Sequence, residues 1–240
     1  MEIDRLTLDA CHRAAGVVVV VVVVVDVLRA FTTAAFAFDR GAEAIIVVST
    51  AEEAFDLREQ DSDFLLIGEI NGLSIEGFDL PNSPAAVART DLCGRRLIQR
   101  TTAGTQGVVQ ATGAEHLFAA SLCVAGATAR HIAALRPNSV TFVETGVRGR
   151  EGGDDDVACA DYIAGMLVGD PLDPKEIRDR VGRSRAARKF TGAESSDFPE
   201  ADLTHALMVD RYDFAMEVER RGDLLVLKPA RWQDADVSGG

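Results

Sequence analysis

The sequence predicts an α/β fold, a largely parallel sheet flanked by helices in three α/β/α layers. Three observations predict it. The stretch "GVVVVVVVVVDVLRAFTTA" carries nine consecutive valines, residues 17–25, that stop at Asp26. β-Branched side chains favour the pleated strand, and a continuous apolar run marks a strand covered on both faces. Runs of this strand type then alternate with helical stretches along the chain, the pattern of a parallel sheet with crossover helices. Finally, those strands end in polar residues, and in open α/β sheets ligands bind beyond the carboxyl ends of the strands.

Element by element, the segment before the valines, "MEIDRLTLDACHRAAG", carries both charge signs. The valine run is too short to span a membrane, which takes about 20 apolar residues, and it lacks the flanks of a signal peptide. After it, a helix is expected over 28–39, a strand over 44–50 ("AIIVVST"), a helix over 51–59 and a strand over 64–69 ("FLLIGE"). A long polar loop leads to Pro84, well placed at a first helical position. A strand over 95–102, a helix over 105–111, a helix over 124–135, a strand over 139–145 and a helix over 156–168 follow. Beyond Gly169 a Pro-marked turn opens a basic helical stretch, "GDPLDPKEIRDRVGRSRAARKFTG". "EADLTHALMVDRYDFAMEVERR" reads as helix, "DLLVLKPA" as a short last strand and "QDADVSGG" as a frayed end.

An internal echo bears on domain organisation. Residues 21–48 and 94–121 each run strand, Thr-Thr-Ala, helix, Gly-Ala-Glu, strand, with the triplets at Gly41 and Gly113. Two related lobes around a cleft, about 1–92 and 93–240 within one α/β unit, is one reading. The other is that any two β-α-β units look alike.

Composition narrows the function classes. Apolar residues make up 47% and charged residues 26%, and the formal net charge is −13. Such a surplus of carboxylates opposes non-specific binding to nucleic acid; it suits a protein that gathers divalent cations, although solubility alone also explains it. Cys11, Cys93, Cys123 and Cys159 form no Cys-x-x-Cys pair, as expected of a reduced cytoplasmic chain without a structural zinc. A homo-oligomer such as a dimer is common for α/β enzymes of this size.

Four constellations offer chemistry. In "DVLRAFTT", Asp26 at a strand end precedes Arg29, Thr32 and Thr33. A helix N-terminus attracts anions, and Arg29 could grip phosphate or sulfonate through two bonds; alternatively Asp26 caps the helix and the threonines are surface. Leu28 stands where aspartyl phosphatases of the D-x-D pattern place their second carboxylate, which argues against the haloacid-dehalogenase class. In "IGEINGLSIEGFDLPNSPAAV", Glu69, Asn82 and Ser83 could wall a site or cap a helix. In "TTAGTQG", Thr101, Thr102, Gly104 and Thr105 could cradle an anion, although no Gly-Lys-Ser/Thr follows. In "ETGVRGREGGDDDVACAD", Asp155 and Asp156 stand in an acidic triplet at a helix start. The dipole alone favours them, and Mg²⁺ would too.

"VDVLRAFTTA", "GEINGLSIEGFDLPNSP", "TTAGTQG" and "GGDDDVACAD", in this order, resemble the 2-phosphosulfolactate phosphatase (ComB) family over roughly residues 17–169. The resemblance implies Mg²⁺-dependent hydrolysis of 2-phosphosulfolactate to sulfolactate and phosphate, on the route to coenzyme M. It places Asp26, Arg29, Thr32, Glu69, Asn82, Ser83, Thr101, Thr102, Thr105 and the Asp155-Asp156 pair at motif positions. Ala103 replaces the family's usual Asn, and Asp155 its usual Glu. Together the residues and the resemblance give Asp26, Arg29 and Glu69 as catalytic groups, with Asp26, Glu69, Asp155 and Asp156 around Mg²⁺. Thr32, Thr33, Asn82, Ser83, Thr101, Thr102, Gly104 and Thr105 would bind a small phosphorylated anion. Asp26 could attack phosphorus or activate water, and Arg100 or Arg148 could hold a sulfonate or carboxylate. Two further readings stand beside this one: a phosphatase of another small metabolite, and a non-catalytic anion-binding protein.

Overall fold

The computed structural model describes residues 1–11, 21–111, 113–146, 152–192 and 197–231. Its core is a curled ten-stranded sheet. In chain order the strands are β1 (Glu2–Thr7), β2 (Val21–Val25), β3 (Ala44–Val47), β4 (Leu65–Gly68), β5 (Leu80–Pro81), β6 (Arg96–Arg100), β7 (His116–Ala120), β8 (Ser139–Glu144), β9 (Phe214–Arg221) and β10 (Leu224–Arg231). In space they lie in the order β1-β8-β2-β7-β9-β10-β3-β6-β4-β5. One half, β1-β8-β2-β7, is parallel. The other, β3-β6-β4-β5, is parallel too. The antiparallel hairpin β9-β10 joins them.

The helices are α1 (Ala30–Asp39), α2 (Ala51–Gln60), α3 (Pro84–Val87), α4 (Gly104–Gln110), α5 (Ala125–Leu135), α6 (Asp154–Val168), α7 (Pro174–Gly182) and α8 (Glu200–Ala206). Helix α1, "AFTTAAFAFD", is apolar all round and buried from Ala30 to Phe38, as a helix without a polar face must be. It lies inside the curl, in one cluster with Val22 and Val24 of β2, Ile45 of β3, Leu97 of β6 and Leu227 of β10. The alternate valines Val21, Val23 and Val25 face outward onto α5 and α6, so both faces of β2 are covered. Helix α2 shields the outer face of the second half through Ala54 against Ile46, Leu66 and Ile98.

The expected helices and strands up to residue 168 are present, with ends shifted by up to three residues, and valines 17–20 of the first run lie outside the described residues. The helix expected over 200–221 is corrected: α8 ends at Ala206 and residues 214–221 form β9. Ala, Met, Glu and Arg are good helix formers, but Phe214 and Met216 face the inner cluster while Ala215 faces the outer one. That two-residue period belongs to a strand, and pairing with β7 and β10 overrides the propensity. Gly222, at a φ of 62°, makes the tight turn into β10.

Candidate active site

The chain leaves β2 through a turn that Asp26 organises. The Asp26 backbone N–H donates to the Ala120 carbonyl (3.1 Å), and its Oδ1 accepts from the Ala30 N–H at the head of α1 (2.9 Å). Its Oδ2 accepts from the Thr145 hydroxyl (3.3 Å) beyond the end of β8. Helix α6 brings in two more carboxylates. Asp156 accepts from the backbone N–H groups of Val27 (2.8 Å) and Gly146 (2.7 Å), tying the β2 and β8 exits together. Asp26, Asp155 and Asp156 are all buried.

Crowding three carboxylates away from water penalises their charge. Burial, and secondarily the neighbouring Glu69, pushes Asp26 up to about 6. Burial and the charge of Asp26 push Asp155 up to about 7. Asp156 lies well above the usual carboxylate range for the same reasons, burial first and the Asp155 charge next. Folded-state values above the unfolded 3.8 mean that the folded protein holds protons the unfolded chain has released. The stability they contribute is present below pH 4 or so and is lost as pH rises to about 7. Metal-free protein is therefore expected to melt at progressively lower temperature between these pH values, and Asp155→Asn to flatten that fall. Calorimetry in EDTA checks it; an unchanged slope in the variant would refute the assignment.

Two adjoining cavities of about 380 Å³ each meet at Asp26. Asp26, Leu28, Ala103, Gly146, Ala186 and Lys189 line both. The first extends to Thr145, Asp155, Asp156 and Arg185, the second to Arg29, Glu69, Asn71, Asn82, Thr102 and Phe198.

The predicted site residues divide by this geometry. Asp26, Arg29, Glu69, Asn82, Thr102, Asp155 and Asp156 line the cavities. Thr32 donates to the Val27 carbonyl (2.7 Å) and Thr33 is buried within α1. Ser83 caps α3 and donates to Asp202 (2.6 Å). Thr101 and Thr105 bond to each other's backbone and hydroxyl groups. These five brace the walls rather than line the cavities. Glu69 accepts from the Gly72 and Thr102 backbone N–H groups and from the Thr102 hydroxyl (3.0 Å), pinning its loop to the end of β6. Arg29 is held by Asp202 (2.8 Å), the Asp197 carbonyl (2.6 Å) and the Gly72 carbonyl (3.2 Å), with Phe190 and Phe198 over its guanidinium. Arg100 donates to the Glu69 carbonyl (2.8 Å), and Arg148 lies outside the described residues.

Gly104 is where α4 comes closest to Asp26. A Cβ there would sit 2.7 Å from the Ala30 Cβ and 2.8 Å from Asp26 Oδ2. Gly104→Ala is expected to cost about 1–3 kcal/mol of stability and to lower turnover by displacing Asp26. Urea melts and steady-state rates of the variant check both; wild-type values for each would overturn this account.

Sequence reasoning missed Arg185 and Lys189, which bring positive charge to the acidic cavity. The signal was there: "RSRAARK" concentrates basic residues in a chain of net charge −13. The donor set fits a hard cation. Among the described residues no three carboxylate, imidazole or thiolate side chains enclose a metal by themselves. Mg²⁺, however, is usually held by one or two carboxylates, waters and substrate phosphate. Asp26 and Asp155 line the same cavity, and both are raised chiefly by burial, the Asp26 charge adding to the effect on Asp155. No helix among the described residues is long and apolar enough to cross a membrane.

The family model described as 2-phosphosulpholactate phosphatase matches residues 8–219. A probable 2-phosphosulfolactate phosphatase of Bacillus subtilis (strain 168) is 38% identical over 202 residues, 84% of this chain and 88% of that protein. A protein of the same name from Deinococcus radiodurans is 42% identical over 146 residues, 60% of each chain. One from Thermus thermophilus is 40% identical over 146 residues, 60% of this chain and 59% of its own. With a cleft of buried acids at the strand ends and a family match spanning nearly all of its described length, this chain belongs to the 2-phosphosulfolactate phosphatase family.

Proposed function

We propose that the cleft hydrolyses 2-phosphosulfolactate in a Mg²⁺-dependent reaction, giving sulfolactate and inorganic phosphate. The observation that carries the reading is the position of Asp26. It stands in the wall common to both cavities, with both carboxylate oxygens fixed by Ala30 and Thr145 and with Asp155 and Asp156 beside it. Asp26 and Asp155 would hold the ion, and Mg²⁺ bound there supplies a Lewis acid for a phosphoryl oxygen.

The chain's own residues account for the rest. Asp156 holds the Val27 and Gly146 backbones so that the β2 and β8 exits keep their spacing. Arg185 offsets phosphoryl charge at the cavity mouth. Glu69 and Arg29 fix the loop at Gly72 that walls the second cavity. Asp26 takes the position from which phosphorus is attacked or water is deprotonated. The ester P–O bond breaks, a P–OH bond forms from water, and the leaving oxygen takes the second proton as an alcohol.

Phosphate release from 2-phosphosulfolactate, phospholactate and phosphoglycolate, with Mg²⁺ or with EDTA, tests the reading. Release that needs Mg²⁺ and favours the sulfonate is expected. Equal release from all three would sink the substrate assignment, and no release from any would sink the phosphatase.

A further inference from the structure

The two cavities share one wall but differ beyond it. The first is crowded with carboxylates, whereas the charges of the second are already committed. Glu69 accepts three hydrogen bonds from Gly72 and Thr102. Arg29 is closed into an ion pair with Asp202, whose side chain is fully buried. Lys189 differs from both. It is exposed, lines both cavities, and makes no ion pair among the described residues. Its Nζ lies 5.8 Å from the centre of the Phe198 ring.

Asn82 supplies a second, independent observation. It is 4% exposed and lines the second cavity, and its Oδ1 has no hydrogen-bond partner among the described residues. A buried acceptor left without a donor is costly, so its presence in a cavity wall points to a ligand.

We infer that the second cavity is the subsite for one of the two acid groups that are not transferred, with Lys189 selecting substrates that carry it beside the carboxylate. The inference rests on the proposed reaction and takes that group as the sulfonate. With phosphorus beside Asp26, the rest of the ester must extend past the shared wall. A sulfonate is ionised at any working pH and needs a cation not already paired. Lys189 is a compact, mobile point charge at the junction, able to face a group in either cavity. Asn82 has a use in the same frame: hydrolysis creates an alcohol O–H that the ester lacks, and Oδ1 is an acceptor in want of a donor.

Titration calorimetry with sulfolactate and with lactate, in the presence of Mg²⁺, tests this without turnover. Wild-type protein should bind sulfolactate at least about 10-fold more tightly than lactate, the scale of one hydrogen bond to a charged group. Lys189→Met should remove most of that preference while leaving lactate binding within about 3-fold, and Lys189→Arg should restore it. Lys189 is exposed, so the variants fold. Equal binding of the two ligands by wild-type protein, no binding of either, or unchanged preference in Lys189→Met would each overturn the subsite. Selective sulfolactate binding without phosphate release from the ester would instead sink the phosphatase reading and leave the subsite standing.

Discussion

Asp26→Asn is expected to lower kcat by about 10⁴-fold or more, the scale seen when a nucleophile or essential base is removed, while the protein stays folded. The amide retains an oxygen for the Ala30 N–H, so the turn between β2 and α1 survives. What disappears is the negative charge that holds the ion and serves the reacting phosphorus. Removing one of three mutually repelling buried carboxylates relieves the others, since Asp26 raises both Asp155 and Asp156. The variant should therefore melt no lower than wild type at about pH 8 without metal. Steady-state rates and a thermal melt on the same preparation decide the matter. Turnover within 10-fold of wild type would remove Asp26 from the chemistry.

The largest loss of stability should follow from Asp202→Ala. Oδ2 of Asp202 accepts from Arg29 (2.8 Å), while Oδ1 accepts from the Ser83 hydroxyl (2.6 Å) and the Ala85 N–H (3.0 Å). Truncation would leave a guanidinium buried without its counter-charge and two donors without an acceptor. Breaking a buried pair from one side costs about 3–5 kcal/mol. Arg29→Met combined with Asp202→Leu removes both charges and should cost clearly less than the sum of the single changes. Urea melts of the singles and the double close the cycle. Additive losses would show that the pair is not coupled as the geometry requires.

These variants mark how far the sequence could be read. The valine run and the alternation of strands and helices made the sheet legible, because buried parallel strands and crossover helices differ in period and composition. Asp26 was legible because its place at a strand end follows from the run before it. The orientation of Arg29 was not. Its position suggested a grip on phosphate, but its folded partners, Asp197 and Asp202, lie 168 and 173 residues away in the chain. Asp202 is an acid in the first turn of α8, a place the dipole favours without any further role. Lys189 was visible only as one of several basic residues, since exposure and cavity walls are set by tertiary packing. β9 was misread because helix-forming side chains took the strand conformation that its two neighbours impose.

The place of β9 and β10 has a consequence for biosynthesis. They are the last of the described strands to be translated, yet they lie in the middle of the sheet, between β7 and β3. Every acid of the cleft has been translated by residue 156, but until residues 214–231 emerge the nascent chain carries two unmated strands with open backbone edges. Such edges invite pairing with other chains. A ribosome that stops before Phe214 would release a polypeptide that contains the whole acidic cluster and lacks the seam that brings its two halves into register.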